Sequence, residues 1–176
     1  MRTRLLGALC VLIVTGCASS PPMRFYTLSP VSAAAGENAN SAAIRVGRVR
    51  IPAELDRVEV VQRIDANRLS ISEQDRWAAP MEDMVRRVLT ADLNGPANGL
   101  AQPSATLNVD IEEFMGDASC NVTLTASWEL KGASAPVTGR ESIRVPGSGG
   151  TCPASSLPMP MSRALAQLSE KILAPR

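Results

Sequence analysis

Residues 105–130 read ATLNVDIEEFMGDASCNVTLTASWEL, and the alternation within this stretch decides the fold. Apolar residues occupy the odd positions from 105 to 111 and the even positions from 120 to 130. A period of two is typical of strands in an antiparallel sheet that has one buried face. After a turn at 132–135, a third run carries Val137, Ile143 and Val145. The stretch and its continuation therefore predict a three-stranded antiparallel meander.

Shorter strands are predicted on the N-terminal side of the meander. Residues 25–28 form a first strand, and residues 58–64 and 69–71 form a hairpin around the turn-rich tripeptide 65–67. Between them, apolar residues at 44 and 46 change parity to 49 and 51, which indicates a bulge near residues 47–48. Residues 31–42 are rich in Ala, Gly, Asn and Ser and predict a mobile surface loop.

Two helices complete the predicted architecture. Residues 80–94 carry a stripe of Met, Val and Leu at helical spacing, which we interpret as a core face, with a ligand groove as the alternative. A second helix has Ser162 as its N-cap and apolar residues at 161, 165, 168 and 172. The elements together predict an α+β fold in which an antiparallel sheet is packed by two helices, in a single domain over residues 25–176.

Residues 1–16 have the features of a lipoprotein signal peptide. Two arginines precede an apolar stretch at 5–14, and residues 14–17 (VTGC) resemble a bacterial lipobox. The apolar stretch is shorter than the roughly 20 residues that span a bilayer as a helix. We therefore expect cleavage before Cys17 and lipidation at Cys17, with an ordinary secretory signal as the alternative. Residues 17–24 then form a lipidated tether of at most ~25 Å, which holds the domain close to the membrane.

Charge and composition exclude several classes of protein. The chain has 18 Lys and Arg residues against 17 Asp and Glu residues, few aromatic residues and no histidine. Mixed charge with few aromatic residues argues against nucleic-acid binding. The absence of histidine excludes histidine-based acid–base catalysis, the triads that depend on it and the common zinc sites. We expect no enzymatic activity, no metal and no cofactor.

The cysteines indicate an exported protein. Cys10 is lost with the signal and Cys17 carries the lipid, so Cys120 and Cys152 remain. In an oxidising periplasm this pair predicts a disulfide, and two free buried thiols are the alternative. Folding back the predicted hairpin brings the residues beyond Val145 near Cys120, and the glycine-rich loop that follows lets Cys152 reach it.

Two pairs of adjacent residues are candidates for chemistry or binding. Glu112 and Glu113 are neighbours in a predicted strand, so their carboxylates are expected on opposite faces, which argues against a paired-carboxylate site. Arg76 and Trp77 lie directly ahead of the first helix. Trp77 is interpreted either as an anchor in the core or, together with Arg76, as a contact for a partner protein.

Several short motifs resemble one family when they are taken in order. They are the lipobox, FYTLSP (25–30), VGRVRIP (46–52) followed by LDR (55–57), Asn67, RWAAPM (76–81) and the helix that ends in Leu89 and Leu93. Their order and spacing resemble the ABC-type transport auxiliary lipoprotein family over residues 1 to about 95, and beyond residue 100 only the pattern of strands and helix matches. The pair Cys120 and Cys152 is not part of this pattern. The resemblance makes Asp56, Arg57, Arg76 and Trp77 candidate partner contacts.

The resemblance implies a non-enzymatic periplasmic component of a lipid transport system that works with an MCE-domain protein and membrane partners. Residue 18 is Ala and not Asp, so by analogy with Gram-negative lipoproteins we expect the outer membrane as its location, facing the periplasm. The apolar positions are accounted for by one face of each element, which favours a docking subunit over a lipid-binding shuttle. A free-standing envelope assembly or stress lipoprotein is the other alternative. Because MCE-domain proteins form rings, a homo-oligomeric ring of this chain is a further expectation.

Overall fold

The sheet is built on β5, a strand of 13 residues that pairs with neighbours along both of its edges. The computed structural model describes residues 21–31, 43–95, 102–132, 135–147 and 149–174, and in these ranges seven strands form one sheet. The strands are β1 (Arg24–Tyr26), β2 (Ile44–Arg50), β3 (Glu59–Arg63), β4 (Leu69–Trp77), β5 (Ala105–Asp117), β6 (Val122–Lys131) and β7 (Val137–Val145). The helices are α1 (Met81–Asn94) and α2 (Pro158–Leu173). The single α+β domain with two packing helices is confirmed.

The meander predicted from residues 105–145 is present. β5 pairs antiparallel with β6, and β6 pairs antiparallel with β7. Leu107 lies opposite Leu130, and Leu124 lies opposite Ile143. Leu107 and Leu124 are fully buried, because the helices cover this side of the sheet. The alternation in the sequence therefore identified the buried face of these three strands.

The sheet as a whole is mixed, whereas the sequence predicted antiparallel pairing throughout. β2 and β3 run in line along the same edge of β5 and are both parallel to it, and β1 is parallel to β4. β4 is antiparallel to β3, which is parallel to β5, so β4 and β5 run in opposite directions although α1 connects them in the chain. The remaining pairings, β3 with β4 and the two of the meander, are antiparallel as predicted.

Local features of the N-terminal half follow the sequence closely. The register of β2 against β5 shifts between Val46 and Val49, so the predicted bulge is confirmed. The β3–β4 hairpin turns at residues 65–67, where the backbone N–H of Asn67 donates to Asp65 Oδ1 at 3.0 Å. β4 is longer than predicted, because it continues to Trp77 and pairs with both β1 and β3.

The helices differ from the prediction at one boundary. α1 buries Met84, Val85 and Val88 completely, which confirms the stripe as a core face. α2 begins at Pro158, four residues before Ser162, so the prediction of Ser162 as the N-cap was wrong. Proline suits a first helical turn because its missing N–H would have no partner there. Ser162 lies inside the helix, where its hydroxyl donates to the Pro158 carbonyl at 2.8 Å.

The predicted signal peptide, residues 17–20 of the tether, which include Cys17, and residues 32–42 of the predicted loop lie outside the described residues. Among the residues that are described, no helix is both long and apolar enough to cross a lipid bilayer.

Candidate functional site

A surface pocket of about 320 Å³ lies where β4 ends and α1 begins. Its walls come from two segments, residues 56–58 and residues 77–80. It therefore brings together Asp56, Arg57 and Trp77, three of the four candidate partner contacts. The fourth, Arg76, does not line the pocket. The two segments meet because the backbone N–H of Trp77 donates to the Val58 carbonyl at 2.7 Å.

A short turn fixes the first wall of the pocket. The backbone N–H of Leu55 donates to the Pro52 carbonyl at 2.9 Å, and that of Asp56 donates to the Ala53 carbonyl at 3.3 Å. Leu55 is buried in the core, so it holds the turn from the inside. Asp56 and Arg57 follow on the surface, where both are exposed. The turn thus presents one acidic and one basic side chain at the rim.

Trp77 forms the floor of the pocket and also belongs to the core. Its side chain is 5 % exposed, and its neighbour across the sheet is Tyr26 of β1. A large indole in this position contributes mainly through its buried area. The burial supports the interpretation of Trp77 as an anchor, and only one edge of the residue is available to a partner.

Arg76 lies on the opposite side of β4 in a small charged group. It is the register partner of Glu59, whose carboxylate accepts a hydrogen bond from Arg57 Nε at 3.0 Å. That hydrogen bond is the largest of the contacts that lower the pKa of Glu59, and the charge of Arg76 acts in the same direction. The Nε atom of Arg76 is buried and has no hydrogen-bond partner among the described residues. Arg76 is thus connected to Arg57 through Glu59 and not through the pocket.

A buried carboxylate that the sequence analysis missed joins β1 to β4. Asp75 is 4 % exposed and accepts two hydrogen bonds from Arg24, from Nε at 2.8 Å and from Nη2 at 3.0 Å. The hydroxyls of Tyr26 and Ser72 donate to it at 3.0 and 2.8 Å. Burial by itself raises the pKa of Asp75, but the hydrogen bonds from Arg24, Ser72 and Tyr26 outweigh this effect and the pKa is lowered. Only the parallel register of β1 and β4 could have revealed this contact.

The expected placement of Glu112 and Glu113 on opposite faces was wrong. β5 carries a register shift at Glu112, so that one residue is inserted into the ladder. Glu113 lies opposite Thr125, while Glu112 accepts a hydrogen bond from Ser127 at 2.5 Å. Thr125 and Ser127 are two positions apart on β6 and share a face, so both carboxylates lie on the side of the sheet away from the helices.

Separate arginines nevertheless keep these two carboxylates from acting as an acid–base pair. Arg140 Nη2 lies 2.6 Å from Glu112 Oε2, and its hydrogen bonds lower the pKa of Glu112 to about 2. Glu113 pairs with Arg63 at 3.2 Å. A general acid needs a pKa raised toward neutrality, and the environment of Glu112 does the opposite.

The structure joins Cys120 to Cys152 in a disulfide with their Cα atoms 5.1 Å apart. Cys120 lies in the β5–β6 turn, and the backbone N–H of Cys152 donates to the Ala118 carbonyl at 3.0 Å. The buried side chain of Gln62 donates to the carbonyls of both Asp117 and Cys152, at 2.9 and 3.1 Å. The disulfide and the hydrogen bonds from Gln62 therefore fix the segment after β7 to the turn between β5 and β6.

Two larger pockets open elsewhere on the described surface and contain none of the candidate residues. One of about 520 Å³ lies between α1 and β2 and is lined by charged side chains that include Asp83, Arg86 and Arg87. Another of about 660 Å³ lies between the end of β1 and the start of α2 and is rich in hydroxyl groups. In the described ranges, no cluster of Cys, Asp and Glu side chains has the arrangement of a metal site.

Comparison with known proteins identifies the family. The family model described as "ABC-type transport auxiliary lipoprotein component" matches residues 26–173. The chain belongs to this family. It is 27 % identical over 135 residues to the intermembrane transport lipoprotein PqiC of Escherichia coli K12, covering 71 % of this chain and 72 % of that protein, and the PqiC of Shigella flexneri matches equally. This is a distant similarity.

Two crystal structures share the fold of this auxiliary lipoprotein. An uncharacterised protein superposes with a TM-score of 0.70 at 19 % identity, covering 86 % of this chain and 97 % of the other. Protein XCC0632 of Xanthomonas campestris superposes with a TM-score of 0.65 at 15 % identity, covering 85 % and 92 %. At these identities the likeness extends to the fold alone.

Proposed function

We propose that this auxiliary lipoprotein is a non-enzymatic docking subunit of an MCE-type, ABC-type lipid transport system. In this proposal lipidation at Cys17 holds it on the periplasmic face of the outer membrane, where an MCE-domain protein binds it. Membership of the family supports a role in transport, and the distant relative PqiC is named as an intermembrane transport lipoprotein. Neither fact identifies the binding surface.

One observation carries the docking proposal: two separate family-like segments converge on one surface pocket. LDR (55–57) and RWAAPM (76–81) are about twenty residues apart in the chain, yet they form adjacent walls of the pocket at the end of β4. A buried aromatic floor with charged residues at the rim is typical of the anchor points of protein interfaces. The pocket is near the lower limit of small-molecule sites, so it fits one or two side chains of a partner better than a lipid.

The test is affinity purification of the lipidated protein from mild detergent, with identification of the proteins that remain bound. We expect an MCE-domain protein to co-purify with the wild type, and the double substitution Asp56→Ala and Arg57→Ala to reduce its recovery by roughly tenfold or more. The matched control removes another exposed acid–base pair, Glu129→Ala and Lys131→Ala, whose charges lie 3.1 Å apart on β6. This control should leave recovery unchanged.

Two outcomes would contradict the proposal in different ways. Recovery of the MCE-domain protein that is equal in both double variants would exclude the pocket as the docking site. Purification of the wild type without any MCE-domain protein would favour a free-standing envelope assembly or stress lipoprotein.

Native mass spectrometry of the same preparation tests the shuttle alternative and the proposed ring. A docking subunit should carry no stoichiometric phospholipid, whereas a shuttle would carry one lipid per monomer. The same spectra report whether the subunits assemble into a closed homo-oligomer, as a ring-shaped partner would favour.

A further inference from the structure

The direction of β1 determines which end of the domain is attached to the tether. Arg24 lies opposite Asp75 and Tyr26 lies opposite Trp77, so β1 runs parallel to β4. The chain before Arg24 therefore continues past the earlier residues of β4, toward Leu69 and the β3–β4 hairpin. The pocket at Trp77 lies at the other end of the same strand.

The length of the tether limits how far this end can be from the lipid anchor. This step rests on the proposed lipidation of Cys17. Arg24 is the seventh residue after Cys17, and an extended chain of seven residues spans at most ~25 Å. Leu69 pairs with Arg63 and Arg76 pairs with Glu59, so this part of β4 covers four residues of β3, about 13 Å at ~3.3 Å per residue. A tether that follows the direction of β1 therefore ends near the level of the hairpin, which places the hairpin at the membrane.

The surface at this end is unusually apolar. Large apolar side chains are exposed just before β1 and on the hairpin, and we call them the hairpin–tether patch: Met23 (53 % exposed), Ile64 (38 %), Leu69 (38 %) and Ile71 (46 %). Phe25 is also exposed, but it lies opposite Arg76, beside the pocket. Single exposed apolar residues are common on soluble domains, but a group of them marks an interaction surface. At the tip of the hairpin, Arg68 has a side chain that is 69 % exposed and pairs with Asp65 at 3.2 Å.

We propose that the hairpin–tether patch inserts into the headgroup region of the membrane that carries the Cys17 lipid. Aliphatic side chains next to the exposed Arg68 suit the boundary between headgroups and acyl chains. A single lipid anchor leaves a domain free to tumble, and a second apolar contact would fix its orientation. The register with β3 places Trp77 five β3 residues from Leu69, about 16 Å at ~3.3 Å per residue, so this orientation presents the docking pocket to the periplasm.

The experiment uses the full-length, lipidated protein in vesicles of phosphatidylethanolamine and phosphatidylglycerol with brominated acyl chains, which quench nearby tryptophan. Leu69→Trp and Ile71→Trp each place an indole in the patch. The matched control is Val137→Trp, because Val137 is 42 % exposed but lies where β7 begins, at the end of the sheet that carries the pocket. The native Trp77 and Trp128 are buried and give a constant background. Unchanged melting temperatures verify that each variant folds.

We expect bromine to remove most of the added fluorescence of Leu69→Trp and Ile71→Trp, and little of that of Val137→Trp. Equal quenching at all three positions, or none at any while the protein floats with the vesicles, would overturn the proposal and leave the patch to a second copy or a partner protein. If the wild type itself fails to float with the vesicles, lipidation at Cys17 is refuted, and this proposal falls with it. The docking proposal is tested separately, by the recovery of the MCE-domain protein in the affinity purification.

Discussion

Replacement of Trp77 by alanine should destabilise the domain by about 3–5 kcal/mol. The indole is 5 % exposed at the end of β4, where it contacts the core and forms the floor of the pocket. Its removal leaves a cavity that neighbouring side chains cannot fill without moving the start of α1. For a domain of this size each kcal/mol lowers the melting temperature by about 2–4 °C, so we expect a fall of roughly 6–20 °C.

Thermal unfolding followed by far-UV circular dichroism measures this effect on the mature chain in mild detergent. Phe25→Ala is the matched control, since it removes an aromatic side chain that is 63 % exposed on the adjacent strand and should change stability by less than about 0.5 kcal/mol. A Trp77→Ala protein with a near-native melting temperature and lost binding to the MCE-domain protein would refute the reasoning. Trp77 would then act as a contact and not as an anchor.

Three further predictions concern the anchor, the disulfide and the buried carboxylate. Cys17→Ala should release the protein from the membrane, and unchanged fractionation with an unchanged mass of the N-terminal peptide would contradict lipidation. Non-reducing peptide mapping should find Cys120 bonded to Cys152 in periplasmic material, and replacing both by serine should cost about 3–4 kcal/mol, measured by urea unfolding. Asp75→Asn should destabilise the domain at neutral pH, because the lowered pKa of Asp75 means that its ionised form stabilises the fold. That contribution is complete above about pH 4, the ordinary range of the unfolded carboxyl, and is lost as the pH falls through the folded pKa, so the stabilities of wild type and variant should converge in acid.

Features that depend on neighbours in the sequence could be predicted, and those that depend on distant neighbours could not. The meander, the bulge of β2 and the buried face of α1 follow from the local spacing of apolar residues. The parallel pairing of β1 with β4 connects residues about fifty positions apart, and nothing in either segment specifies the partner. For the same reason the contact between Arg24 and Asp75 was missed. The inserted residue in β5 was missed although the buried apolar positions change parity between Ile111 and Phe114, the kind of change that predicted the bulge in β2.

The candidate binding residues show the same limit. Family resemblance selected the segments that contain Asp56, Arg57, Arg76 and Trp77, and the structure brings three of these residues to one pocket. Resemblance gives positions along the chain but not the direction of each side chain. Arg76 and Trp77 are adjacent on β4 and therefore point to opposite sides, so only one of them could reach the pocket.

The hydrogen bond from the backbone N–H of Ser29 to Ser162 Oγ, 3.1 Å long, connects residues 133 positions apart. Next to it, Leu28 is 1 % exposed, so the first segment of the domain is part of the core. The chain-length part of the entropy for closing such a loop costs about 4 kcal/mol, which must be offset by contacts that form only after α2 has been synthesised. β1 itself is held by β4, so the segment that α2 fixes last is the one around Ser29, just after β1. A chain that terminates before α2 would leave the backbone N–H of Ser29 without this hydrogen-bond partner, so the contact forms only once the last helix has been made.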